Sequence, residues 1–149
     1  MATKRPRVFM NTSVVFGAVL SQTGGARKLF LLAEAGLLRL VSGPTVLKEC
    51  EEVVRRKAPG SLSRVAQMLS AANEEVSLPP AKRDIEKALE LVHCLPDARA
   101  LGKAIRAMPD WFVIHDREHF LKGRKHDKLP FEIGTPGDFI QNLKDMLGS

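Results

Sequence analysis

The stretch Arg7-Val8-Phe9-Met10-Asn11-Thr12-Ser13-Val14-Val15 changes character at its middle. Arg7–Met10 is a short β-branched and apolar run, the pattern of a buried strand. Asn11-Thr12-Ser13 is N-cap chemistry, because short polar side chains accept hydrogen bonds from the first free N–H groups of a helix. Val14–Leu20 then reads as a helix. A strand that passes directly into a helix opens a β–α unit, and helical crossovers join strands into a parallel sheet.

Outward from that stretch the same alternation continues. Ala26–Ala35 is a helical stretch stopped by Gly36. Leu37–Val41 is an apolar run interrupted only by Arg39, short enough for a second strand. Pro44 is placed to open a helix carrying Val46, Leu47, Cys50, Val53 and Val54 on one face, with Glu49, Glu51 and Glu52 beside them. Arg55-Arg56-Lys57 closes it with charges that suit a helix C-terminus. Ser61–Asn73 reads as a helix, Val76 and Leu78 mark a third strand, and Ala81–Leu91 is helical. Pro96-Asp97 opens a helix that turns Leu101, Ala104 and Ile105 inward until Pro109 stops it. Trp111–Ile114 is a buried strand, Phe131–Ile133 the last strand, and Thr135-Pro136 caps a closing helix through Leu147. The expected fold is α/β: a three-layer sandwich with a central, mostly parallel sheet flanked by helices, in a single domain spanning 1–149.

Composition sets bounds on the function. Apolar residues make up 44% of the 149, enough for one packed core, and aromatics only 5%, so that core is mostly aliphatic. Cys50 and Cys94 are too few and too far apart for a disulfide scaffold; both are expected to be reduced and buried. No apolar run is long enough to span a membrane, and the basic start MATKRPRV lacks the apolar stretch of a secretory signal, so a cytoplasmic location is expected. The net charge is +6, and no acid precedes Glu34, while Arg27 and Lys28 lie in that basic opening stretch and Arg117 opens a second basic run. Such asymmetry favours a polyanionic partner, with a solvated basic surface as the plainer alternative.

In parallel α/β sheets, functional residues gather where strands end and helices begin. Asn11 follows the first strand, Glu49 lies in the helix after the second, Asp97 opens the helix before the fourth, and Asp116 follows the fourth. If strands one and four are neighbours, the four side chains can converge on one edge. Converging carboxylates repel and call for a cation. Mg²⁺ and Mn²⁺ prefer such oxygen ligands and activate water against a phosphodiester. Each residue also has a plainer role. Asp97 suits a helix N-terminus, Glu49 an exposed helix face, Asp116 a cap on the following segment, and Thr12 and Ser13 an N-cap. Gly24-Gly25-Ala26-Arg27-Lys28 lacks the Gly-Lys-Ser/Thr ending of a phosphate loop.

Five segments together resemble the PIN-domain family. Val8-Phe9-Met10-Asn11-Thr12-Ser13-Val14-Val15 is similar to its opening, where a strand ends in Asp-Thr-Asn or Asp-Thr-Ser. Ser42-Gly43-Pro44-Thr45-Val46-Leu47-Lys48-Glu49-Cys50 is similar to its second segment, with Glu49 at the acidic position. Asp97-Ala98-Arg99-Ala100-Leu101 is similar to its third, Trp111-Phe112-Val113-Ile114-His115-Asp116 to its fourth, and Thr135-Pro136-Gly137-Asp138-Phe139-Ile140 to its ending. The resemblance covers nearly the whole chain and is weakest over 61–91. It implies an endoribonuclease that cleaves single-stranded RNA, of the kind found as toxins paired with protein antitoxins. It also implies a Mg²⁺ or Mn²⁺ site at Asn11, Glu49, Asp97 and Asp116, with Thr12 and Ser13 in support.

Two departures stand inside that resemblance. The family's first acid is Asn11 here, which offers a carbonyl oxygen but no charge and so weakens metal affinity. The glycine usual before the last acid is His115. In the ribonuclease reading, Arg27, Lys28 and Arg117 hold RNA through its phosphates. The alternative is a catalytically inactive RNA- or antitoxin-binding module on the same fold. The apolar helices also suit a homodimer.

Overall fold

The computed structural model describes residues 5–21, 23–115, 120 and 129–148. Asp116 and Arg117 lie outside these residues. The first strand, β1 (Arg7–Met10), passes through Asn11 into α1 (Thr12–Leu20), and α2 (Gly25–Glu34) leads back to β2 (Arg39–Ser42). Then come α3 (Val46–Lys57), a 3₁₀ turn (Pro59–Ser61), α4 (Leu62–Ala71) and β3 (Glu75–Val76). The hairpin α5 (Lys82–Leu91) and α6 (Leu95–Ala107) precedes β4 (Trp111–Val113). The described chain closes with β5 (Glu132–Gly134) and α7 (Pro136–Gly148).

The five strands form one sheet in the order β3-β2-β1-β4-β5, with every neighbouring pair parallel. The fold is α/β, a parallel sheet between two layers of helices. Strand alternation explains the layers, since successive side chains point to opposite faces. Val8, Met10, Leu40 and Val113 face a core closed by α1, α2, α3, α4 and α7. Phe9, Val41, Phe112 and Ile133 face a second core, with Leu101, Ala104 and Ile105 of α6 and Ala88 of α5. Phe9 lies opposite both Val41 and Phe112 in the ladder, and its ring meets Phe112 edge-on at 5.8 Å. Trp111 is half-buried at the rim of the first core, where it meets Phe139 of α7 at 5.5 Å.

Several boundaries differ from the sequence reading for local reasons. β2 starts at Arg39 because Leu37 closes α2 instead, its N–H bonded to the Leu32 carbonyl around Gly36 at φ +81°. α3 starts at Val46, after Pro44. Its buried stripe is Val46, Cys50 and Val54, spaced four apart, and Leu47, expected on that stripe, is turned outward and 44% exposed. Leu78, expected in the third strand, lies beyond β3 and is exposed. Cys50 is buried as expected, but Cys94 is exposed, because it is the cap residue of α6 at the turn from α5 and lies outside either core.

Arg7 fixes the opposite end of the sheet from the helix-opening edge. Its guanidinium donates to the carbonyls of Ala107 (2.9 Å) and Met108 (2.8 Å), satisfying the C-terminus of α6, and pairs with Glu75 of β3. Arg7 beside it, with the charge of Arg39, holds the Glu75 carboxyl below the ordinary range against a smaller effect of burial.

Candidate functional site

Because β1 lies between β2 and β4, the C-terminal ends of these three strands stand side by side. The Asn11 N–H donates to the Val113 carbonyl at 3.1 Å, so the residue that leaves β1 is tied to the end of β4. Asn11 is the N-cap of α1: its Oδ1 accepts from the Thr12 N–H at 3.0 Å, and its Nδ2 lies 3.4 Å from Ser13 Oγ. Asn11 lines a recess together with Met10, Thr12, Thr45, Glu49 and Lys103. The recess is small, about 10 Å³, room for about one water molecule.

Glu49, in the first turn of α3, is the centre of this recess. Thr12 Oγ1 donates to its Oε2 at 2.8 Å, Thr45 Oγ1 donates to Oε1, and Lys103 Nζ reaches Oε1 at 3.1 Å from α6. Burial pushes the Glu49 carboxyl up. The hydrogen bonds from Thr45, Thr12 and Lys103, with the Lys103 charge, outweigh it and hold the group below its ordinary value. Glu49 is therefore ionised at neutral pH, and its two oxygens carry three donors.

Glu74, just before β3, accepts from Ser42 Oγ at the buried end of β2, and burial raises its carboxyl despite that bond. Both acids act on Cys50, whose thiol is pushed up to about 11 by burial and by the charges of Glu49 and Glu74. A thiol so placed stays protonated and is not a nucleophile at neutral pH.

Asp97 stands in the first turn of α6, partly buried, and is not among the residues that line the recess. What α6 brings onto Glu49 is Lys103, about 9 Å further along the helix axis. Ser13 is exposed, and its carbonyl accepts from His115 Nε2 at 2.7 Å. Room for that imidazole comes from Gly17, where a Cβ would stand 3.1 Å from His115 Cε1. Arg27 is partly buried with Nη1 2.7 Å from Met68 Sδ, so its charge lies along α4, while Lys28 is exposed. Among the described residues, no group of three or more His, Cys, Asp and Glu side chains converges as a metal site.

The chain matches no protein-family model and no curated protein.

The donor chemistry of the recess can be tested against a divalent cation. Glu49, Asn11 and Thr12 offer oxygen only, the donor type that hard ions prefer, so the set fits in kind. It is low in charge, with one carboxylate in the recess itself. The Lys103 ammonium sits on Glu49 Oε1, where a metal would otherwise bind, and would have to swing away.

Lys103, Thr45, Ser42 and Glu74 were not marked by their spacing. Lys103 carried one usable signal: a lone charge within the small and apolar run Leu101-Gly102-Lys103-Ala104-Ile105, on a helix whose other inward residues are uncharged. Ser42 and Thr45 flank the glycine and proline of a strand-to-helix turn and read simply as turn residues.

Proposed function

We propose that the chain is a metal-dependent endoribonuclease of the PIN type that cleaves single-stranded RNA phosphodiesters, with activity lowered by Asn11 at the first acidic position. The observation that carries this reading is the ionised Glu49 held at the shared end of β1 and β2, beside Asn11, whose backbone is tied to β4. Asp116 follows β4 by three residues in sequence. Glu49, Asp97 and Asp116 would hold a Mg²⁺ or Mn²⁺ ion, with the Asn11 carbonyl completing the set. Such an ion supplies a polarised water and neutralises charge growing on the phosphate.

The chain's own residues carry the remaining work. Thr12 and Thr45 fix the Glu49 carboxylate by donating to one oxygen each. Asn11 holds the first turn of α1 in register with them. Arg27, Lys28 and Arg117 would bind RNA phosphates, a sequence-independent contact that positions the strand. A toxin role with a protein antitoxin belongs to the same resemblance and stands with it.

A second reading has its own observation. Lys103 on Glu49, with the uncharged Asn11 beside it, leaves the recess balanced without a metal. That arrangement suits an inactive module that binds RNA or an antitoxin. Mn²⁺-dependent cleavage of single-stranded RNA by the unaltered chain, abolished by Glu49→Gln, decides for the nuclease. RNA binding that persists in chelator with no turnover decides for the module.

A further inference from the structure

A cleft of about 380 Å³ opens between α5 and α6, at the end of the molecule opposite the Glu49 recess. It falls at the small end of the range of roughly 300–1,000 Å³ typical of small-molecule sites. Its walls are Arg83, Asp84 and Lys87 from α5, and Ile105, Arg106 and Met108 from α6 and its cap. The framework is firm. Gly102 lets the two helices touch, since a Cβ there would stand 3.2 Å from Ile85 Cγ1, and Arg7 anchors the carbonyls of Ala107 and Met108.

The charge on these walls lacks an internal answer. Arg7, Arg39, Arg55, Lys82 and Lys103 each meet a carboxylate. Among the described residues, Arg83, Lys87 and Arg106 have no ion-pair partner. Asp84, the acid on the wall, is buried and turned back to accept from the Ala81 N–H at 2.7 Å. Arg83 and Lys87 lie four apart on one helix, a like-charge spacing that is unfavourable by itself, and Arg106 shares their cleft. An anion between the three would relieve that repulsion with charge-assisted hydrogen bonds. Beside them, Ile105 and the 57% exposed Met108 offer an apolar surface, and a methionine adapts its shape to a flat partner.

We propose that this cleft binds a nucleotide, its phosphate between Arg83, Lys87 and Arg106 and its base against Ile105 and Met108. The ligand is either a free nucleotide or one residue of an RNA strand; the chemistry is the same. The proposal is independent of any metal at Glu49.

The test uses the full chain with three probes: adenosine monophosphate, inorganic phosphate and a fluorescent single-stranded oligoribonucleotide, all in chelator. The cleft variant combines Arg83→Gln, Lys87→Gln and Arg106→Gln. A control with equal charge loss combines Arg56→Gln, Lys57→Gln and Lys144→Gln. A third variant, Met108→Asp, adds a negative charge at the rim and keeps a residue that tolerates the left-handed φ of +50° found there. Circular dichroism confirms that each is folded. The expected result is binding of the nucleotide tighter than of phosphate, weakened about tenfold or more in the cleft variant and in Met108→Asp but not in the control. If the strand is the ligand, its salt dependence also falls in slope by about two in the cleft variant. Loss confined to the mononucleotide identifies the free ligand, and loss confined to the oligoribonucleotide identifies the strand. Equal losses in cleft and control variants, unchanged binding in the cleft variant, or no binding of either nucleotide probe by the unaltered chain overturns the proposal.

Discussion

Replacing Lys103 with methionine removes the ammonium from Glu49 while keeping the length of the stem. The two charged atoms stand 3.1 Å apart, with side chains 28% and 36% exposed. At an effective dielectric of about 20, that separation gives roughly 5 kcal/mol of gross Coulomb attraction. Solvent access, screening and lost side-chain entropy offset most of it, leaving about 1 kcal/mol for a partly exposed pair. A double-mutant cycle of Lys103→Met and Glu49→Gln in urea unfolding at neutral pH should therefore return a coupling of about 1 kcal/mol, falling at high salt. The pH dependence has a definite sign. Glu49 is depressed in the folded state below its ordinary 4.5, so its contribution is present above that pH and is lost as pH falls through the lower folded value. Without Lys103 the folded carboxyl rises, and this acid-sensitive part of the stability shrinks. Freed of the ammonium, Glu49 should also bind Mn²⁺ more tightly by calorimetry. A coupling indistinguishable from zero, with an unchanged acid limb, would refute the assignment of Lys103 as the counter-ion of Glu49.

Other expectations rest on close approaches and on thiol chemistry. Gly17→Ala places a methyl 3.1 Å from His115, and should cost about 1 kcal/mol net of the gain in helix propensity; adding His115→Ala should restore the loss in thermal unfolding. Gly102→Ala sets a methyl against Ile85, including its backbone at 3.4 Å, so α5 and α6 must separate, at a cost of roughly 1–3 kcal/mol in urea unfolding. Iodoacetamide at neutral pH should alkylate the exposed Cys94 and spare Cys50, whose thiol is buried and raised to about 11; mass spectrometry of digested protein reads the sites, and rapid labelling of Cys50 in folded protein would contradict the packing.

The fold was legible because its signals are local. Apolar runs near Arg7, Arg39 and Trp111 were short enough for strands, and Asn11, Gly36, Pro96 and Pro109 punctuated the helices between them. Boundaries moved where a residue took part in a cap rather than a strand, as Leu37 did at the end of α2. Side-chain orientation was less legible. Leu47 has the right polarity for the core but the wrong angle on α3, and Cys94 is a residue type usually found inside that lies at a turn. At the site, Glu49 and Thr12 could be singled out because each lies in the first turn of a helix that follows a strand. Lys103 could not, because its meeting with Glu49 depends on how the sheet sets α6 and α3, one in each helix layer, beside the same strand ends, a pairing across 54 residues that no local pattern encodes.

The most direct test of the nuclease reading is cleavage of single-stranded RNA in Mn²⁺ by three chains: the unaltered protein, Asn11→Asp and Glu49→Gln. Aspartate caps a helix as well as asparagine does, so Asn11→Asp adds a carboxylate beside Glu49 without disturbing α1. The expected result is weak Mn²⁺-dependent cleavage by the unaltered chain, stronger cleavage by Asn11→Asp, and none by Glu49→Gln. Absence of cleavage by both the unaltered chain and Asn11→Asp across all metal concentrations contradicts it.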